Sequence, residues 1–138
     1  MIVLDTHALV WWVAGDRRFV QAARSAIDKS VAAGEAVLVS AISAWEVGML
    51  VRRGRLALSM PVDEWLLAVQ SIEGVSIVPI TAEVAVQSVN LPGEFHPDPA
   101  DRMIVALARE RNASLITADE KIHRYPHVRC SWSAAGLR

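Results

Sequence analysis

Residues 1–13 read MIVLDTHALVWWV: an apolar, β-branched opening interrupted at its fifth position by an aspartate. Ile2, Val3 and Leu4 suggest a buried strand, and THALVWWVAG (6–15) suggests a helix closed by Gly15. Burying an isolated carboxylate costs several kcal/mol unless it is paired, hydrogen-bonded or metal-bound, so Asp5 marks either a helix cap or a site.

Outward from this unit, apolar periodicity switches repeatedly between strand and helix. Phe19, Ala22, Ala23, Ala26 and Ile27 recur at helical spacing ahead of Gly34, and AVLVS (36–40) is a second buried strand. SAWEVGMLVRRG (43–54) predicts a helix starting at Ser43, and another helix begins near Pro61 with Trp65, Leu66, Val69 and Ile72 on one side. VSIVPI (75–80) is a third strand, and Thr81 caps a helix carrying Val84, Ala85 and Val89. LPGEFHPDP leads into the buried helix ADRMIVALARER; then come a strand SLIT, a short helix ADEKIHRY and a last strand VRCSW. Strands alternating with helices predict an α/β sandwich with a mainly parallel sheet, built as one domain over residues 1–138.

Four acids fall at comparable places in this reading. Asp5 ends strand one, Glu46 lies in the first turn of the helix after strand two, Asp101 lies in the first turn of the buried helix, and Asp119 follows strand four. In a parallel sheet the carboxyl ends of the strands share one edge, where ligands bind. Each acid also has a local explanation. Asp5 and Asp119 can be N-caps, Ser43 and Glu46 have capping-box spacing, and Asp98 precedes Pro99 as a cap would. Capping does not explain why all of them map to one edge with Arg102 as the only adjacent cation. Crowded carboxylates raise one another's pKa unless a cation sits among them. Oxygen donors without a Cys or His cluster suit Mg²⁺ or Mn²⁺, the layout of metal-assisted phosphodiester hydrolysis.

Other chemistries have less support. His123 and His127 are separated by Pro126 and read as structural or surface histidines; His7 and His96 lie near the acids, within reach of a substrate, with packing the larger expectation for both. Cys130 is alone and sits in an apolar strand, so it supports neither a disulfide nor nucleophilic catalysis. Aspartyl-phosphate phosphatases need a second aspartate two residues after the first, where this chain has His7. No apolar run approaches the ~20 residues of a membrane span, and no secretory leader precedes Asp5, so the expectation is a cytoplasmic protein without membrane association. Net charge is −1, yet removing Asp5, Glu46, Asp98, Asp101 and Asp119 from the 15 acids leaves 10 against 14 basic residues, nearly all arginine. Such a surface suits a phosphate-bearing polymer.

The blocks IVLDTHALVWW, VSAISAWEVGMLVRRGRL, HPDPADRMIVALA and LITADEKIHRY resemble, in order, those of the PIN-domain ribonucleases, and within them the VapC-type toxins of bacterial toxin–antitoxin modules. The resemblance implies a three-layer α/β/α sandwich with a five-stranded sheet in the order 3-2-1-4-5. It also implies a homodimer, cleavage of structured RNA, and inhibition by a cognate antitoxin. Asp5, Glu46, Asp101 and Asp119 fall on the family's metal-binding acids, with Mg²⁺ or Mn²⁺ as cofactor. Asp98 matches an additional acid, Thr6 and Thr117 match hydroxyls that orient carboxylates or water, and Arg102 matches an arginine after the third acid. The alternative is a catalytically silent PIN-like module that binds RNA or protein, which a lost acid would favour. Adjacent Trp11 and Trp12 cannot face one core, so one of them is expected at a dimer contact or antitoxin groove, while Trp45 and Trp65 read as core residues. Arg52, Arg53 and Arg55 are candidates for RNA contact or a plain helix end.

Overall fold

The computed structural model describes residues 1–133. Five parallel strands form one sheet in the order β3-β2-β1-β4-β5, with β1 Ile2–Leu4, β2 Val37–Ser40, β3 Val75–Val78, β4 Ser114–Ile116 and β5 Cys130–Ser131. Among the described residues seven helices connect them: α1 Thr6–Ala14, α2 Gln21–Ala32, α3 Ala41–Arg52, α4 Val62–Gln70, α5 Ala82–Val89, α6 Pro99–Glu110 and α7 Glu120–His123.

Side chains of successive strand residues point to opposite faces, and here they divide the core in two. Ile2, Leu4, Val37 and Val39 pack with Leu9, Ile27, Trp65 and Val69 on the α1, α2 and α4 side. Val3, Leu38 and Leu115 pack with Val84, Ile104, Val105 and Ile122 on the α5, α6 and α7 side. Strands buried on both faces read as unbroken apolar runs, which is why β1 and β2 carry no polar alternation.

The register fixes the functional edge. Leu4 pairs with Val39 on one side and with Ile116 on the other, so Asp5, Ser40 and Thr117 arrive together where the central strands end. Asp5 remains tied to the sheet through its backbone N–H to Ile116 O at 3.0 Å.

Two sequence expectations need correction. Helix α3 begins at Ala41, capped by Ser40, whose hydroxyl accepts from Ile42 N at 3.2 Å. The last residue of β2 is thus itself the cap, no connecting loop intervenes, and Glu46 lies in the second turn. Ser43 is released from capping and is wholly buried. Trp45, expected in the core, is 59% exposed, whereas Trp65 is buried as its spacing implied.

Gly74 holds the turn before β3 at φ +84°, and its carbonyl accepts from Val37 N at 2.8 Å. A Cβ there would meet Val31 Cγ2 at 2.9 Å, while one at Gly34 (φ +74°) meets nothing within 4 Å. Gly74→Ala should therefore lose about 2–3 kcal/mol, and Gly34→Ala about 1 kcal/mol from the backbone term alone. Equal losses in urea denaturation would contradict the packing argument.

Candidate active site

Asp5 is buried and serves as the N-cap of α1, with Oδ1 accepting from Thr6 N at 2.8 Å. Its Oδ2 accepts from the Thr117 hydroxyl at 2.7 Å, and Thr117 Oγ1 in turn accepts from Asp119 N at 3.0 Å. One hydroxyl thereby positions two of the acids. Asp119 is also a cap, its Oδ1 accepting from Lys121 N at 2.9 Å.

Glu46 reaches the same edge from α3. Its Oε1 accepts from the Thr6 hydroxyl, which also lies 2.8 Å from Ser43 Oγ. The S-x-x-E spacing therefore does not form a capping box; both side chains converge on Thr6 instead. Asp98 is the exposed N-cap of α6, with Oδ1 accepting from Asp101 N at 3.1 Å. This leaves Asp101, three residues on, directed inward.

Arg102 turns away from the acids. Its Nε donates to Ser88 O at 2.7 Å, its Nη1 to Phe95 O at 2.9 Å and His96 O at 3.3 Å, and its Nη2 to Val89 O at 3.3 Å. The guanidinium caps the carbonyl end of α5 and pins the loop 91–98 against it. That loop delivers His96, whose Nε2 lies 3.1 Å from Asp101 Oδ2. His96 Nε2 is solvent-free yet lacks a hydrogen-bond partner.

Electrostatically the edge is under strain. Burial, reinforced by the charges of Asp5, Asp98, Asp119 and Glu46, pushes the Asp101 carboxyl up to about 8. Burial also raises Glu46, with Thr6 opposing and Asp5 and Asp98 adding to the rise. Among the described residues, ligand atoms of His96, Asp101 and Asp119 lie within 4.8 Å of one another, close enough for one ion. Asp101 and Asp119 of the expected metal-binding acids belong to this group. Asp5 stands beside this group, and His96, for which packing was the larger expectation, stands in it. The orphaned nitrogen and the raised carboxyls fit a divalent cation.

Residues 2–128 match the PIN domain family model. Ribonuclease VapC22 of Mycobacterium tuberculosis is 38% identical over 133 residues, spanning 95% of this chain and 98% of that protein. The chain belongs to the PIN-domain family. Its fold matches that of VapBC2 from Rickettsia felis bound to a promoter DNA fragment (TM-score 0.71, 18% identity, 96% of this chain and 100% of that one). It also matches DNA-bound VapBC from Salmonella typhimurium (TM-score 0.66, 16% identity, 94% and 96%). A toxin–antitoxin complex from Klebsiella pneumoniae matches at TM-score 0.62 and 22% identity, over 93% and 95%.

In this PIN domain Asp5, Glu46 and Asp101 line a cleft of about 770 Å³. Leu50, Leu56, Leu58 and Trp65 form apolar walls, Arg55 brings positive charge, and Arg18 is paired with Asp16 at 2.8 Å. Of the arginine trio, Arg55 faces the cleft, while Arg53 is the C-cap of α3 and Arg52 is exposed in its last turn. Trp11 lines the cleft, with Arg18 stacked 4.6 Å from its ring centroid. Both Trp11 and Trp12 are half-buried.

Of the remaining histidines, only His7 lines the cleft. His7 Nε2 accepts from Ala118 N at 3.0 Å, its Nδ1 stands 3.5 Å from Asp5 Oδ2, and its ring lies against Trp11. His123 bridges Thr117 O at 2.7 Å and Cys130 Sγ at 3.3 Å. His127 is exposed.

A pH prediction follows from Asp101. Between its ordinary value of 3.8 and about 8, the metal-free folded state keeps a proton that the unfolded chain has released. Stability should therefore fall as pH rises through that window. Asp101→Asn should flatten this slope and, at pH 8, melt later than the parent by about 1–2 kcal/mol, a figure reduced for partial solvent access. Parallel pH–stability curves for the two proteins would remove the assignment.

Proposed function

We propose that this chain is a Mg²⁺- or Mn²⁺-dependent endoribonuclease that cleaves structured RNA of the tRNA or rRNA class and acts as a growth-inhibiting toxin. In this reading it is cytoplasmic, works as a homodimer and is neutralised by a cognate antitoxin. The observation that carries the reading is the convergence of Asp5, Glu46, Asp101 and Asp119 on one sheet edge, with Asp101 raised by burial and by the other acids. A silent binding module has no need to maintain such repulsion. The 38% identity to a ribonuclease and the fold shared with VapBC complexes support the same conclusion. Among the described residues no helix is long and apolar enough to cross a membrane.

Asp5, Asp101 and Asp119 would hold the metal, with Glu46 as a further ligand or as the group that orients the attacking water. When bound there, a divalent cation would supply positive charge to the reacting phosphate and acidify a water near neutral pH. The chain supplies the rest. Thr117 fixes Asp5 and Asp119 in register, and Thr6 holds Glu46 Oε1 so that Oε2 is the oxygen able to take a proton from water. Arg55 can hold RNA phosphates along the cleft, while its apolar walls and Trp11 offer a docking surface for an antitoxin segment.

The test is cleavage of a panel of structured RNAs with Mg²⁺, with Mn²⁺ and with chelator. Metal-dependent cutting should fall on the order of a hundredfold or more in Asp5→Asn and Asp101→Asn. Full activity in either variant would refute the site, and cutting that persists in chelator would refute metal dependence.

A further inference from the structure

We propose that His96 is a direct nitrogen ligand of the metal centre, joining Asp101 and Asp119 in a mixed nitrogen–oxygen site that favours Mn²⁺ over Mg²⁺. This rests on the metal-dependent reading above and specifies its chemistry.

Three observations on different parts of the residue support it. The first is the state of Nε2: shielded from solvent and 3.1 Å from a carboxylate oxygen, it nevertheless does not meet hydrogen-bond geometry with that oxygen. A histidine present only to orient Asp101 would aim an N–H along that line. An Nε2 left without a hydrogen-bond partner beside a carboxylate keeps its lone pair for an ion instead.

The second is spacing. Ligands bound roughly 2.0–2.3 Å from one ion lie about 3 Å apart when adjacent and somewhat over 4 Å when opposite. The Nε2 and the oxygens of Asp101 and Asp119 fall within 4.8 Å of one another, so a single ion can draw all three to it.

The third is pre-organisation. Two Arg102 hydrogen bonds grip the Phe95 and His96 carbonyls. The Phe95 ring packs between His96, at 4.4 Å, and Tyr125, at 4.7 Å, while the Tyr125 hydroxyl donates to Pro92 O. Pro97 and Pro99 restrict the backbone directly after His96. The imidazole is thus presented from a braced loop, as ligating side chains commonly are.

Replacing an oxygen donor by imidazole lowers the fit for Mg²⁺, which demands oxygen and keeps its waters, and improves it for first-row transition ions. The parent protein should bind Mn²⁺ more tightly than Mg²⁺ in calorimetry. His96→Gln, which retains an oxygen donor, should weaken Mn²⁺ about tenfold or more and Mg²⁺ much less.

The deciding measurement is electron spin-echo modulation of the Mn²⁺-loaded protein. A histidine ¹⁴N coupling is expected, replaced by ¹⁵N on histidine labelling and abolished in His96→Gln. Bound Mn²⁺ without nitrogen coupling would overturn the His96 assignment and leave an all-oxygen site. A coupling that survives His96→Gln would transfer the role to another histidine and overturn it equally. Failure of Mn²⁺ and Mg²⁺ to bind at all would instead overturn the metal-dependent reading, and this proposal with it.

Discussion

The structure is organised around the burial of carboxylates gathered where β1 and β4 end. A parallel sheet delivers the ends of its strands to one edge, and this chain places Asp5 and Asp119 there, Asp101 at the start of α6 and Glu46 on α3. Burial and neighbouring charges raise Asp101 and Glu46 together, so folding this region opposes rather than exploits its electrostatics. Apolar packing on both faces of the sheet compensates, and β1, which runs beneath Asp5, is wholly apolar.

Capping a helix leaves these residues room for a second partner. A carboxylate has two oxygens, and Asp119 uses Oδ1 on a helix N–H while keeping Oδ2 for other work. Asp5 accepts from Thr6 N through one oxygen and from Thr117 through the other, so it is the most firmly fixed of the acids. Asp98 takes the capping of α6, which frees Asp101 to point into the cluster. The local signals that make a carboxylate look merely structural are thus the means by which it is aimed.

This explains how much was legible beforehand. The order of strands and helices followed from periodicity and from Gly15, Thr81 and the Asp98–Pro99 pair, because those signals act over a few residues. Strand order came from resemblance, since nothing local encodes which strand pairs with which. The start of α3 was misplaced because Ser40 and Ser43 are both good caps by type, and only the tertiary bond from Thr6 to Ser43 shows which one is spared for another purpose. Trp45 was assigned to the core by residue type, whereas its face of α3 is turned to solvent. His96 was placed near the acids, but its role depends on a loop whose shape is set by Arg102 and Tyr125, too remote in sequence for spacing to reveal.

Arg102 shows how an acidic site stays acidic. It follows Asp101 directly, and neighbours one residue apart on a helix do not face each other, so its charge leaves the cluster by geometry. Four carbonyls then occupy its donors, which keeps the guanidinium from swinging back to neutralise the carboxylates. The same bonds set the position of the His96 backbone. One side chain therefore withholds an internal cation from the site and braces the loop that brings a nitrogen to it, and both effects leave the cluster's charge to be balanced from outside the chain.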